Sequence, residues 1–245
     1  MKHTWVIARR VLTQIAHDKR FLGLSVAAPL IIIYFLKIFF DTMPLGFNVA
    51  RYIMPVAAFL VHFLAFLLCA IVLVQERTAG TLERMFINGF QRIEIIGGYV
   101  LGYTALATLQ AVVALVEVLV LFDLNYSWGT IATLFGVVWL LAIASVMLGI
   151  FISTFARHEG QVFPFIPLII LPSVFLSGLL VNTELLPTWA EWLGHAFPLF
   201  YANKVIQEII KPQGDIASTW PNLLILALYG VMLLGLASRT LREVE

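Results

Sequence analysis

The sequence predicts an all-α integral membrane protein: six transmembrane helices, an N-terminal amphipathic interface helix, a short cytoplasmic helix in a charged loop, and an outer re-entrant helical hairpin. Three observations predict it. Hydrophobic residues make up 61% of the 245 positions and charged residues 12%, with a mean hydropathy of +0.97, far from the composition of soluble domains. Six largely apolar stretches of 15 to 29 residues can be drawn as bilayer crossings, which take roughly 20 residues: Phe21–Phe39, Ile53–Val74, Ile93–Leu121, Gly129–Phe155, Val162–Val181 and Leu223–Ala237. The charged residues collect in the connections between these stretches.

Residues 2–20 alternate charge with apolar positions. Trp5, Ala8, Leu12 and Ile15 share one helical face, and Arg9, Arg10, Gln14, His17 and Lys19 lie largely on the others. That pattern suits a helix lying in the headgroup region; the alternative is an N-terminal tail whose positive charges only set topology. The apolar stretch after it is long enough to span and several more follow, so it reads as a retained first helix rather than a cleaved signal.

Six crossings return both termini to one side. Lys2, Arg9, Arg10, Lys19, Arg20, Arg77, Arg84, Arg92, Arg157, Arg239 and Arg242 fall on that side, and Lys37, Arg51, Lys204 and Lys211 on the other. Eleven basic residues against four make the first side cytoplasmic, because short cytoplasmic loops carry the excess of Lys and Arg. The expected location is the cell (plasma) membrane. The whole chain, 1–245, reads as a single transmembrane domain.

The loop of residues 75–92, QERTAGTLERMFINGFQR, packs Glu76, Arg77, Glu83, Arg84 and Arg92 between two spans. Thr81 is placed to cap a short helix, Glu83 complements the dipole in its first turn, and Asn88-Gly89 supplies a stop. Leu82, Met85 and Phe86 follow at i, i+3 and i+4, one apolar stripe. On a loop in water, such a stripe is expected to dock against something.

The fifth span contains Pro164, Pro167 and Pro172, each removing a backbone hydrogen bond, so this helix is expected to bend. In the fourth, Ser145 and Gly149 form a small-xxx-small pair that permits close helix approach. The outer segment 182–218 is long yet not hydrophilic. Leu185, Trp189, Trp192 and Leu193 repeat with helical spacing, Pro187 and Pro198 punctuate it, and Tyr201 adds a third interfacial ring. Two short helices dipping into the outer leaflet are expected, with a surface hairpin as the alternative.

Glu117 lies in the third span near its outer end. A carboxylate in hydrocarbon demands a partner, water or a proton. Steps of seven back from it reach Gln110 and Tyr103, with Ala107 and Ala114 between, so one stripe of this helix is polar or small and should face protein or a cavity. Glu117, Gln110, Tyr103 and, from the second span, His62 are the candidate substrate path; a satisfied structural carboxyl is the other reading of Glu117.

The octet Glu76-Arg77-Thr78-Ala79-Gly80-Thr81-Leu82-Glu83 resembles the E-R-E-x-G-T-L-E signature of ABC-2 type transporter permeases, the membrane subunits of a class of ATP-driven exporters. Phe155-Ala156-Arg157, Leu176-Ser177-Gly178, Leu186-Pro187-Thr188-Trp189 and Pro198-Leu199-Phe200-Tyr201 agree with it, so the likeness runs over most of the chain. Thr78 departs from the pattern, which often has Glu there, as do Asn88-Gly89 in place of a usual proline and Gly97-Gly98-Tyr99 in place of Gly-Lys. The resemblance implies a coupling helix that docks in a groove of a separate ABC ATPase (the nucleotide-binding subunit), with Glu76, Arg77, Gly80, Thr81, Leu82, Glu83, Met85 and Phe86 as coupling residues. It also implies pairing with a second copy or a homologous permease.

No G-x-x-x-x-G-K phosphate loop is present, so ATP and Mg belong at the partner and no cofactor is expected on this chain. His158-Glu159 begins like a zinc-protease motif, but Val162 stands where its second histidine would be. No G-x-S-x-G occurs for acyl chemistry. The single cysteine, Cys69, lies in an apolar run and offers neither a disulfide nor a Cys-based metal site. A net charge of +1 with no basic patch gives no hint of nucleic acid. Asn125-Tyr126-Ser127 fits a glycosylation sequon on an outer loop. The expected function is export of a lipophilic or amphipathic substrate, drug-like or lipid. Export of a lipid-linked glycan or polysaccharide is the alternative by the same mechanism. An intramembrane enzyme using Glu117 and His62, and a passive channel or scaffold, are the alternatives of other classes.

Overall fold

The computed structural model describes residues 2–44, 48–181, 183–211, 214 and 216–241, and among these residues the regular structure is helical throughout. Ten α-helices follow in order: α1 (Lys2–His17), α2 (Lys19–Asp41), α3 (Ala50–Thr78), α4 (Thr81–Ile87), α5 (Arg92–Leu121), α6 (Trp128–Ser153), α7 (Phe165–Leu176), α8 (Thr188–Gly194), α9 (Pro198–Ile209) and α10 (Trp220–Thr240). Six helical segments are long and apolar enough to cross a membrane: Lys19–Asp41, Ala50–Thr78, Arg92–Leu121, Trp128–Ser153, Glu159–Leu176 and Ala217–Thr240. They coincide with the six expected spans. Arg242 and parts of the 182–218 segment (182, 212, 213 and 215) lie outside the described residues.

The centre of the bundle is the α3–α6 contact, which small residues at every fourth position of α6 create. A Cβ on Gly149 would lie 2.5 Å from the Phe66 carbonyl oxygen and 2.7 Å from Cys69 Cβ, so only glycine admits α3 this closely. One turn earlier the Ser145 hydroxyl donates to the Leu141 carbonyl at 2.6 Å and lies 2.7 Å from His62 Nδ1. With its proton so directed, the serine oxygen is the acceptor and Nδ1–H the donor. One turn later the Ser153 oxygen accepts from the Leu73 and Val74 backbone N–H groups at 3.0 and 3.3 Å. The expected small-xxx-small approach is thus present, and it extends a further turn.

Helix α1 lies against α5. Ile7, Ala8, Val11 and Ile15 are buried, while Trp5, Val6 and Leu12 point away. The expected face of Trp5, Ala8, Leu12 and Ile15 therefore splits in two, because α1 carries apolar residues on more than one side and α5 selects the smaller set. Two glycines spaced one turn apart set the fit: a Cβ on Gly98 would lie 2.5 Å from Ile7 Cβ, and one on Gly102 2.5 Å from Val11 Cγ1. Asp18 ends the pairing by accepting from the Phe21 backbone N–H at 2.9 Å, which caps α2.

The three prolines of the fifth span do different jobs. Pro164 is the cap residue of α7 and Pro167 falls in its first turn, where backbone N–H groups have no helical acceptor in any case. Only Pro172 interrupts the interior. In place of one bent helix, a 3-10 turn at Glu159–Gln161 precedes a twelve-residue α7.

Between α7 and α10 the chain forms two short helices. Pro187 occupies the cap position of α8 and Pro198 the first turn of α9, the places proline tolerates best. The turn between them is held from two sides: Tyr201 Oη donates to the His195 carbonyl at 2.9 Å and Tyr229 Oη of α10 to that of Ala196 at 3.0 Å. Asn203 Nδ2 and Gln207 Nε2 donate to the Ser177 and Gly178 carbonyls at 2.8 and 2.9 Å, satisfying the end of α7. Gly178 takes the left-handed φ of +82° that this terminus needs. α9 buries Phe200, Val205 and Ile206, whereas Trp189 and Trp192 of α8 are exposed.

Candidate functional site

The junction of α1, α3, α4 and α5 carries the densest polar network among the described residues. Both carboxylate oxygens of Glu76, two residues before the end of α3, accept from one nitrogen of Arg10: Nη2 to Oε1 at 2.5 Å and to Oε2 at 2.6 Å. The same nitrogen lies 3.4 Å from Tyr99 Oη on α5, and Nη1 lies 3.7 Å from Met85 Sδ on α4. Burial works against the Arg10 charge, but the bonds to Glu76 and the neighbouring Tyr99 hold its pKa above the ordinary arginine value. Thr81 Oγ1 donates to the Glu76 carbonyl at 3.0 Å and also meets the Glu76 carboxylate. The Arg10–Glu76 pair, with Thr81 and Tyr99 against it, thereby ties four helices together.

Arg77 turns the other way, donating to the Ala156 carbonyl in the loop between α6 and α7. Gln75 Nε2 donates to Glu159 Oε1 of the same loop at 3.1 Å. The end of α3 is therefore fixed on both flanks, and α4 hangs from it.

Thr81 is not the cap of α4, as the sequence suggested. Gly80 holds that position with a left-handed φ of +66°, a conformation that spares glycine the strain a Cβ would bring. The tight turn moves Thr81 into the helix, where its hydroxyl reaches back to Glu76 instead of forward. Glu83 does lie in the first turn, and Asn88 with Gly89 (φ +79°) ends the helix as expected.

The apolar stripe of α4 faces inward. Leu82 is fully buried and Met85 nearly so within the chain's own core, and Phe86 packs at its edge. This corrects the expectation of a stripe open to a partner: local spacing says which residues share a face, and here the bundle already covers that face. What α4 presents outward is Glu83, Arg84 and Ile87, the last 84% exposed. An isoleucine so exposed at the end of an otherwise docked helix is an apolar knob without a covering surface among the described residues.

The candidate substrate-path residues do not come together as one site. His62 is wholly buried between α3 and α6 with Ser145 as its partner, while Glu117 lines a groove between α2 and α5. The expected approach of His62 to Glu117 is thus replaced by a bond to α6, because the Ser145 side chain lies directly across the α3–α6 contact. Gln110 is buried and donates to the Ser25 carbonyl of α2 at 3.0 Å. Ala107 and Ala114 are buried with it and Tyr103 partly so, so this stripe of α5 faces protein as its composition implied. Among the described residues no group of three His, Cys, Asp or Glu side chains could hold a metal ion.

Arg10, Tyr99 and Ile87 are the members of this junction that sequence reasoning missed. A usable signal existed: Gly98 and Gly102 at i, i+4 on α5 match Ile7 and Val11 at i, i+4 on α1, which places Arg10 and Tyr99 at the same level.

A family profile described as ABC-2 type transporter matches residues 2–210. The chain is 27% identical over 172 residues to ABC transporter G family member 20 of Dictyostelium discoideum, a match covering 69% of this chain and 23% of that protein. It is 23% identical over 160 residues to the probable multidrug ABC transporter permease YbhR of Escherichia coli strain K12, covering 64% of this chain and 43% of that protein. The chain spans less than half the length of these curated relatives.

Proposed function

This chain belongs to the ABC-2 type transporter family, a family of transport membrane subunits, and we propose that it moves a lipophilic or amphipathic substrate outward, driven by a separate ATPase subunit docked on α4. The observation that carries the reading is the outward face of α4: Glu83, Arg84 and Ile87 project from a helix whose Leu82 and Met85 anchor it to the bundle. A lever needs both properties, one face gripped and one face free. The ATPase would hold ATP and Mg, and its closure would move α4. Glu76 would pass that motion to α1 through Arg10 and to α5 near Tyr99, and Arg77 would pass it to the loop before α7.

In this reading the end of the bundle bearing α1 and α4 is cytoplasmic, and α8 and α9 form a hairpin in the outer leaflet of the cell membrane. The exposed Trp189 and Trp192 suit that depth, since indole rings favour the membrane interface. A second copy or a homologous permease would complete the pathway. A drug-like substrate draws support from the multidrug description of the bacterial relative and from the absence of a large outer domain among the described residues.

The test is Ile87→Asp and Glu83→Ala in the assembled transporter. Each is expected to reduce substrate-stimulated ATPase activity and transport about tenfold, the loss of roughly 1.4 kcal/mol at a docking contact, while insertion and thermal stability stay unchanged because both side chains are exposed. Leu82→Asp is expected to behave differently. A charge placed at a fully buried position lowers the yield of folded protein rather than uncoupling it. Normal transport in both Ile87→Asp and Glu83→Ala would remove the outer face of α4 from the mechanism.

A further inference from the structure

Glu117 sits one turn before the end of α5, in a groove of about 440 Å³ between α2 and α5. Leu30 and Tyr34 of α2 form one wall, and Val113, Val116 and Val120 of α5 form the other. The carboxylate is the one charged group in this lining. Its Oε2 is buried with no hydrogen-bond partner among the described residues. The basic residue nearest in sequence on the α2 wall, Lys37, is engaged elsewhere: its ammonium pairs with Asp41 and lies 5.6 Å from the centre of the Phe122 ring. A carboxylate at membrane depth without a protein counter-charge costs several kcal/mol unless something neutralises it. An acyl chain in the groove would cover the valines and leave the charge facing hydrocarbon. A cation with an apolar body satisfies both parts of the lining.

We propose that this groove binds a lipophilic monovalent cation, its charged centre against the Glu117 carboxylate and Tyr34 ring and its apolar body along the α5 valines. Aromatic faces attract such cations, most strongly where water is excluded. The proposal deepens the exporter reading by naming a substrate class, and rests on that reading only for the cation's route. In the orientation given above the groove lies toward the outer leaflet, on the release side. Specificity comes from charge, because valines and an exposed tyrosine ring impose little shape.

The probes are tetraphenylphosphonium and tetraphenylborate, which share a shape and differ in sign. The full-length chain, with its co-purifying ATPase, is reconstituted in nanodiscs without nucleotide, and saturable binding is measured above that of empty nanodiscs. Tetraphenylphosphonium is expected to bind about tenfold more tightly than tetraphenylborate, a difference within reach of one carboxylate at this depth. Glu117→Gln is expected to abolish that preference, and Glu117→Asp to retain most of it. Val116→Trp, at a position exposed on the outer face and so tolerated by the fold, is expected to block the phosphonium by filling the groove. Equal binding of the two ions by the unaltered chain, a preference unchanged in Glu117→Gln, or binding of neither ion would overturn the proposal. The last outcome is the one a groove filled by a second copy would give. Since no nucleotide is present, these outcomes leave the α4 docking test untouched, and failure of that test leaves this binding site standing.

Discussion

Gly149→Leu is expected to yield a chain that inserts but no longer assembles its central helix pair, losing on the order of 3 kcal/mol or more, beyond the usual range for overpacking. Even the first carbon of the new side chain would lie 2.5 Å from the Phe66 carbonyl oxygen and 2.9 Å from the Ala70 nitrogen. Those neighbours are backbone, so no rotamer change relieves the contact and α3 must move away. The movement is costly because the bonds on either side share the same stripe. His62 to Ser145, and Leu73 and Val74 to Ser153, all cross the α3–α6 contact, and separating the helices strips them together. The buried His62 imidazole would then lose its partner in a region where lipid cannot replace it. Gly136→Ala is the control on the same helix: nothing lies within 4 Å of its added Cβ, and alanine favours helix by about 1 kcal/mol over glycine. Thermal unfolding in detergent and the monodisperse fraction on size exclusion read both variants. Similar stability for Gly149→Leu and Gly136→Ala would mean that the α3–α6 contact is not the centre of the fold.

The six spans were legible because length and hydropathy are local quantities, and the short helices α8 and α9 because Pro187 and Pro198 mark their starts in any context. What faced what was less legible. The spacing of Leu82, Met85 and Phe86 identified one face of α4 correctly, yet the same spacing serves a helix gripped by its own bundle and one awaiting a partner. Helix α1 carries Trp5 and Leu12 as well as Ile7 and Val11, and only the glycines of α5 decide which pair is covered. His62 and Glu117 stand on helices whose mutual rotation no periodicity reports. In the sequence both are simply polar residues in apolar runs; in the fold one is locked to Ser145 and the other opens on a groove. Thr81 shows the limit at the scale of one turn, because Gly80 in the left-handed region shifts the cap by one residue and redirects the hydroxyl to Glu76.

Glu76→Ala and Arg10→Ala are each expected to cut transport about tenfold or more while the ATPase continues to turn over, and the double variant is expected to be no worse than either single one. Glu76 is the point at which α4 could drive two other helices, so its loss should cost transmission more than assembly. Removing Glu76 strands Arg10 beside Tyr99 and Met85. Arg10 is 34% exposed against 12% for Glu76, so water recovers part of its solvation and the stability loss stays near 1–3 kcal/mol, below that of a fully buried pair. Because the partners share their bonds, a double-mutant cycle on thermal stability is expected to show a coupling of about 1–3 kcal/mol. Two further variants separate transmission from packing. Arg10→Lys keeps the charge and a contact from one nitrogen to the carboxylate but has no second nitrogen for Met85 of α4, so it should retain most stability and lose transport if the guanidinium must reach α3 and α4 at once. Thr81→Val removes the hydroxyl that joins Glu76 to α4 while leaving the Arg10 pair intact, and should uncouple without a large stability loss. Strictly additive effects of the two alanine substitutions, with Thr81→Val fully active, would reduce the junction to ordinary packing and leave α4 without a route into the bundle.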